Sequence, residues 1–273
     1  MKTNYHTHSI WCDGQNTPEE MIQSAIGRGF GVLGFSSHST YPEDDACTVP
    51  KAKLPGYFDE VRALAAKYAG RIRVLCGIEA DYIPGVTDPD RRRYAQFAPD
   101  YIIGSVHYVV AKDGARVPVD HLPELVRSGI DGHFGGSVEK YLRAYFAQQR
   151  EMVRNFDFDI VGHIDLCRKF NVKHPYFDET AGWYREELRL TADAVAESGK
   201  LVELNTGAIS RGWMDDVYPS AEFRDLLRER GVRFVLDSDS HAADTLDCAF
   251  DRFAAAENFV RPFPRDLAFR PEK

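Results

Sequence analysis

The chain has 273 residues, 44% of them hydrophobic, enough to bury a large core. With 34 basic against 42 acidic residues the formal net charge is −8, which argues against non-specific binding to nucleic acid or an anionic membrane. The five cysteines are scattered and odd in number with no CxxC pair, no apolar run approaches the ~18 residues of a membrane span, and the N-terminus runs straight into a polar His-x-His, so a cytoplasmic protein without signal peptide or disulfide framework is expected.

The first strand reads Lys2 to His6. Thr17-Pro18-Glu19-Glu20 opens a helix, with Thr17 as N-cap, Pro18 at the first position and Glu20 completing a capping box. Gly29 stops that helix, and Val32 to Ser36 forms the second strand. A loop from His38 to Pro55 leads to a helix over Gly56 to Tyr68, ended by Gly70. Arg73 to Ile78 is the third strand, Arg91 to Phe97 a short helix, and Tyr101 to Ser105 the fourth strand. Residues 108–136 contain glycine and proline and little periodicity, so a long lid or substrate loop is expected there. A long helix over Ser137 to Asn155 precedes the fifth strand, Asp159 to Gly162. Thr180 to Ser198 is helical, Leu201 to Leu204 is the sixth strand, and Ser220 to Arg230 is a helix closed by Gly231. Val232 to Leu236 is the seventh strand, followed by a helix from Ala243 to Glu257 and a proline-containing surface tail after Phe259. Strands alternating with helices, apolar on both faces, call for parallel pairing. The expectation is α/β architecture in a single domain over residues 1–273, with a barrel of seven β-α units preferred to an open doubly wound sheet.

The residues at the strand ends carry the chemistry. In order they are His6-Thr7-His8 with Asp13 beyond, His38, Glu79 with Asp81, His107, His163 with Asp165, Glu203-x-Asn205, and Asp237-x-Asp239-x-His241. Six of the nine histidines lie at these positions, where parallel α/β folds place their active sites. Residues two apart on an extended strand point the same way, so His6 and His8 can face one cation, and Asp239 and His241 repeat that arrangement. Any one of these side chains alone could be an ordinary hydrogen-bonded histidine or a structural ion pair. Acids gathered at one mouth without cations, however, would repel one another. Imidazole and carboxylate donors suit zinc, iron or manganese, and their number exceeds one tetrahedral site, so two or three divalent transition metals sharing a bridging carboxylate are expected.

These motifs resemble those of the polymerase-and-histidinol-phosphatase (PHP) family of metal-dependent phosphoesterases. The likeness runs from His6-Thr7-His8 through Ser37-His38, Gly104-Ser105-Val106-His107 and Gly162-His163-Ile164-Asp165 to Asp239-Ser240-His241. Within the family the stretch Gly162 to Arg168 and the segment Glu203 to Arg211 are most similar to histidinol-phosphate phosphatases, which act late in histidine biosynthesis. The resemblance implies a distorted (β/α)7 barrel with the metal site at the C-terminal ends of its strands. It implies one metal held by His6, His8, Glu79 and Asp239, a second by Glu79, His107 and His163, and a third by His38, His241 and Asp13, where some relatives carry histidine. It further places Arg168 and Arg211 on the phosphate, beside His107. A guanidinium fork matches phosphate oxygens two at a time.

The expected reaction is hydrolysis of L-histidinol phosphate to histidinol and inorganic phosphate, by in-line attack of a metal-bridging hydroxide without a phospho-enzyme. Asp239, His241 or a bound water would protonate the leaving group. Asp113, Asp120, Asp131, His121 and His133 on the 108–136 loop are candidates to meet the substrate head group. The competing readings are a PHP phosphoesterase acting on a nucleotide or another small phosphate ester, a non-catalytic metal-binding module, and an amidohydrolase-like enzyme. The acidic balance disfavours oligonucleotides, the nearly complete ligand set disfavours a silent module, and no lysine stands at a strand end to bridge metals as amidohydrolases require.

Overall fold

The computed structural model describes residues 1–41, 46–257 and 259–261. Strand β1 (Lys2–Asn4) runs parallel to β2 (Phe30–Phe35), with α1 (Pro18–Gly27) between them. The capping box forms as the residues dictate: the Glu20 amide donates to Thr17 Oγ1 at 3.2 Å, and the Thr17 amide donates to Glu20 Oε2 at 2.8 Å. The buried face of α1 is Met21, Ile22 and Ala25, and Gly29 ends it at φ +77°. Helix α2 (Leu54–Tyr68) follows.

The expected third strand is divided. β3 (Arg73–Cys76) pairs with β2, and β4 (Ile78–Asp81) pairs with β5 (Ile102–Ser105). The division falls at Gly77, where an added Cβ would lie 2.4 Å from Tyr101 Cζ. Tyr101 occupies the space thus left open, and its hydroxyl donates to the carbonyls of Tyr5 and, at 3.0 Å, Phe35.

The 108–136 stretch departs most from its expectation. Expected as a long lid or substrate loop, it contains a hairpin, β6 (Tyr108–Val110) against β7 (Arg116–Pro118), followed by helix α3 (Pro123–His133). Gly114 turns the hairpin at φ +86°, Val109 and Val117 bury on one side, and α3 buries Val126 and Ile130, four apart.

The remaining elements are α4 (Val138–Asn155), β8 (Ile160–Val161), α5 (Gly182–Ser198), β9 (Leu201–Asn205), the short α6 (Gly207–Ser210), α7 (Ala221–Glu229), β10 (Phe234–Asp237) and α8 (Phe250–Phe253). The last helix is much shorter than the expected 243–257 because Ala249 is left-handed at φ 59°, a conformation through which an α-helix cannot propagate. The predicted proline-containing tail lies largely outside the described residues. No helix among the described residues is long and apolar enough to cross a membrane.

All strand neighbours outside the hairpin are parallel. One sheet has the order β1-β2-β3 and the other β10-β9-β8-β5-β4. β3 continues into β4 through Gly77, and isolated parallel bridges Thr7↔Ser240 and His38↔Glu79 join the two sheets at their carboxyl ends. The strands therefore follow one another around a ring whose closure is local, which is the distortion. Tyr5, Val32, Leu75, Tyr101, Ile103, Ile160, Leu201 and Val235 form a small buried cluster, separate from the larger core under the helices. These residues come from seven successive strand positions, so the cluster fills the interior of the ring. The strand-end residues sit directly above this apolar plug.

Candidate metal centre

Glu79, on the four-residue β4, is the hub. Its Oε2 lies 3.0 Å from His6 Nε2, 3.0 Å from His38 Nδ1 and 3.5 Å from His8 Nε2. Its Oε1 lies 3.0 Å from His163 Nε2 and 3.7 Å from His107 Nε2. Five imidazoles from the ends of β1, β2, β5 and β8 thus surround one buried carboxylate. Asp239 Oδ1 lies 3.3 Å from His8 Nε2 and 3.7 Å from His6 Nε2. His241 Nε2 lies 3.3 Å from Asp13 Oδ2, and its ring stacks on that of His8 with centroids 4.1 Å apart.

Four groups have ligand atoms within 4.8 Å of one another: His6, Glu79 and His163; His6, His8 and Asp239; His38, Glu79 and His107; and His8, Asp13, His38 and His241. The fit to divalent cations rests on the condition of these donors. His8 Nε2 is buried with no hydrogen-bond partner among the described residues, although it faces Asp239. A buried polar atom in that state is costly unless a bound ion or ligand satisfies it. The donor set, all imidazole and carboxylate and mostly buried, suits a divalent transition metal.

The electrostatics agree. Burial alone would push the His6 imidazolium down, but Glu203, Glu79 and Asp239 outweigh it and hold its pKa well above the ordinary histidine value. His107 likewise rises against burial, to about 10, because of Asp81. His8 goes the other way: burial, reinforced by His241 and His38, lowers it to about 3. Against the cost of burial, His38 and His6 hold Glu79 far below the usual carboxylate range, and Arg211 and His6 do the same for Asp239.

A second ring of carboxylates orients the imidazoles. His107 Nδ1 is 2.5 Å from Asp81 Oδ1, and His6 Nδ1 is 2.8 Å from Glu203 Oε2. On both rings the opposite nitrogen, Nε2, faces Glu79. Both acids stand among the strand-end residues in the sequence. Their outward role is invisible there, because strand alternation gives a side but not a depth.

A cavity of about 320 Å³ opens over the cluster, lined among others by Asp13, His38, His107, Asp120, Lys169, Arg211 and His241. Arg211 Nη2 donates to Asp239 Oδ2 at 2.6 Å and its Nη1 to the Asp239 carbonyl at 3.0 Å.

Arg168, which the family resemblance places on the phosphate, is engaged by acidic partners. It is not among the cavity's lining residues. Its Nε donates to Glu179 at 2.7 Å, its Nη2 to Asp216 at 2.9 Å and its Nη1 to the Val217 carbonyl at 3.2 Å, while Asp165 lies 3.6 Å away. The 3-10 turn Leu166–Arg168 aims it away from the cavity and the next residue into it. That residue, Lys169, escapes a reading of the sequence because a lone lysine beside an arginine carries no motif. It pairs with Asp120 at 2.9 Å. Of the other loop candidates, His121 reaches the cavity, whereas Asp113 and His133 pair with each other at 2.9 Å on an exposed face, and Asp131 is exposed as well.

A family model described as PHP domain matches residues 4–207. A Deinococcus radiodurans protein named "Probable histidinol-phosphatase" is 32% identical over 98% of this chain and 96% of its own length. A Lactococcus lactis histidinol-phosphatase is 27% identical over 89% of this chain and 85% of its own. Among solved structures, a Listeria monocytogenes chain superposes with a TM-score of 0.79 at 22% identity, covering 92% of this chain and 100% of that one. A Lactococcus lactis histidinol phosphate phosphatase, solved with zinc, L-histidinol and phosphate, superposes with a TM-score of 0.64 at 22% identity, covering 89% and 87%.

Proposed function

Because the chain belongs to the PHP domain family, we propose that it is a metal-dependent phosphomonoesterase that hydrolyses histidinol phosphate to histidinol and inorganic phosphate. The observation that carries the reading is the surrounding of the Glu79 carboxylate by five imidazoles beneath a cavity that also presents Lys169 and Arg211. The histidinol-phosphatase relatives, matched over most of their length, support the substrate. We read residues 1–273 as one such unit.

The proposed ligands are His6, His8, Asp13, His38, Glu79, His107, His163, Asp239 and His241, for two or three ions of zinc, iron or manganese. When bound, such ions offset the phosphoryl charge and make water acidic enough to attack near neutral pH. The chain's own residues supply the rest. Arg211 and Lys169, both lining the cavity, present N–H donors and positive charge to the phosphate oxygens. His241 Nδ1 lies 3.0 Å from the Asp239 carbonyl; protonated there, it leaves Nε2 facing Asp13. In that state Arg211 Nη1 is committed to the same carbonyl and not to His241. Asp120 is held below the usual carboxylate range, against its burial, by Lys169 and His107, so it offers an anion to a cationic head group.

The test is metal analysis of the purified protein together with turnover of a panel of phosphate esters, before and after chelation and readdition. Histidinol phosphate should be turned over best, with activity lost on chelation and regained with metal. Full activity in the metal-free protein, or a strong preference for a nucleotide, would overturn the proposal.

A further inference from the structure

Glu203, on β9, touches two proposed ligands, His6 and His163, that belong to one ligand group with Glu79. Glu203 Oε2 lies 2.8 Å from His6 Nδ1. Its Oε1 accepts the His163 backbone N–H at 2.6 Å and the Asn205 side-chain amide at 2.7 Å. Glu203 is fully buried, as are His6 and Asn205. The absence of a side chain at Gly162 leaves room for this approach, since an added Cβ there would meet Ser105 Oγ at 2.3 Å. Three donors therefore converge on one carboxylate.

We propose that Glu203 is a positioning residue of the centre, one that fixes His6 in the tautomer with Nδ1 protonated and Nε2 free for metal, and that holds His163 in register through its backbone amide. The inference rests on the metal-centre reading above. The physical reason is acceptor capacity. A carboxylate accepts at both oxygens, so His6 Nδ1 must donate, and once metal displaces the proton from Nε2 that nitrogen is the one with a lone pair to offer. His6 belongs to two of the ligand groups, one with Glu79 and His163 and one with His8 and Asp239, so a single tautomer decides both. Asn205 extends the same brace toward Asp239, whose Oδ2 lies 3.5 Å from its amide nitrogen.

The substitution Glu203→Gln separates this role from mere filling of space. A glutamine of the same shape has one acceptor oxygen. Kept toward the His163 amide and Asn205, that oxygen leaves an NH2 group facing His6 Nδ1. The ring must then accept at Nδ1 and carry its proton on Nε2, where metal should bind. Turned round, the NH2 group confronts two donors at once. Either way the proposed ligand set is damaged while the volume is kept.

Zinc affinity and stoichiometry, measured by competition with a chromophoric chelator, should show about 10–100-fold weaker binding at the sites that use His6. The Asp13, His38 and His241 group should keep its ion. Wild-type affinity and stoichiometry in a folded Glu203→Gln protein would overturn the proposal. A second measurement needs no variant: nitrogen-15 imidazole spectra of the zinc-loaded wild type should show His6 protonated at Nδ1 and coordinated through Nε2. The reverse assignment overturns the proposal and leaves the metal centre standing, whereas a wild-type chain that takes up no zinc removes both.

Discussion

Arg168 and Arg211 carry the same charge into different surroundings, and their substitutions should fail differently. Arg211 lines the cavity and bonds Asp239, so Arg211→Ala should lower kcat roughly 10²–10³-fold with metal content near wild type. Arg168 is buried among Glu179, Asp216 and Asp165, and Arg168→Ala would leave those acids without their cation. That substitution should cost about 3–5 kcal/mol of stability, read as a larger fall in thermal midpoint than Arg211→Ala produces. Equal melting of the two variants would contradict the distinction. The sequence could not separate these arginines, because both follow a strand end closely and only the local turns, the 3-10 turn at Arg168 and the short α6 before Arg211, decide where each points. A proton-linked effect belongs to the same scale. The metal-free protein holds His6 and His107 above the ordinary histidine range, so both are protonated at pH 7, while His8, lowered to about 3, is already neutral. Metal must displace the proton from Nε2 of the first two, so binding should release protons at pH 7 and weaken as pH falls. Titration calorimetry in buffers of different ionisation heat checks this, and binding without net proton release would refute it.

At the scale of elements, the order and kind of the β-α units were legible because each is written in local chemistry. The Thr17 cap, the left-handed Gly29 and the strands that are apolar on both faces each carry a local reason. What was not legible depends on partners far along the chain. The third strand divides at Gly77 only because Tyr101, 24 residues on, must enter the ring. The hairpin and α3 were masked by the short buried alternation of Val109 and Val117, too brief to read as periodicity. Gly77→Ala should therefore cost about 1–3 kcal/mol, since an added methyl meets the buried Tyr101 ring, and it should also reduce metal content by displacing Glu79 two residues later. Gly132→Ala supplies the contrast. That position is exposed near the end of α3, with nothing within 4 Å of an added Cβ, so it should gain about 0.5–1 kcal/mol. Thermal melts of the two variants side by side should move in opposite directions.

For the whole molecule, the metal centre and the closure of the ring are one problem. The proposed ligands come from the ends of β1, β2, β4, β5, β8 and β10, and the sheets are joined there by isolated bridges rather than a continuous ladder. The same ends carry Glu79 and Asp239 as buried carboxylates among imidazoles. The spacing of polar residues after each apolar strand makes this set legible in the sequence, whereas the depth of each side chain, and so which ones orient and which ones bind, is decided only by the closed ring. Cations bound at that rim would tie together strands that the backbone ladder does not, and only the folded chain presents the site. Loading should therefore stabilise by mass action, by about 2.7 kcal/mol when free metal stands at 100 times its dissociation constant. For a chain of this size that corresponds to a rise of roughly 5–10 °C in thermal midpoint. Chelation should remove the rise and readdition restore it, with slowed amide exchange at the Thr7–Ser240 bridge in the loaded form. Melting that ignores metal, with exchange at that bridge unchanged, would mean that the ring closes without the cluster and that the strand-end carboxylates are held by the histidines alone.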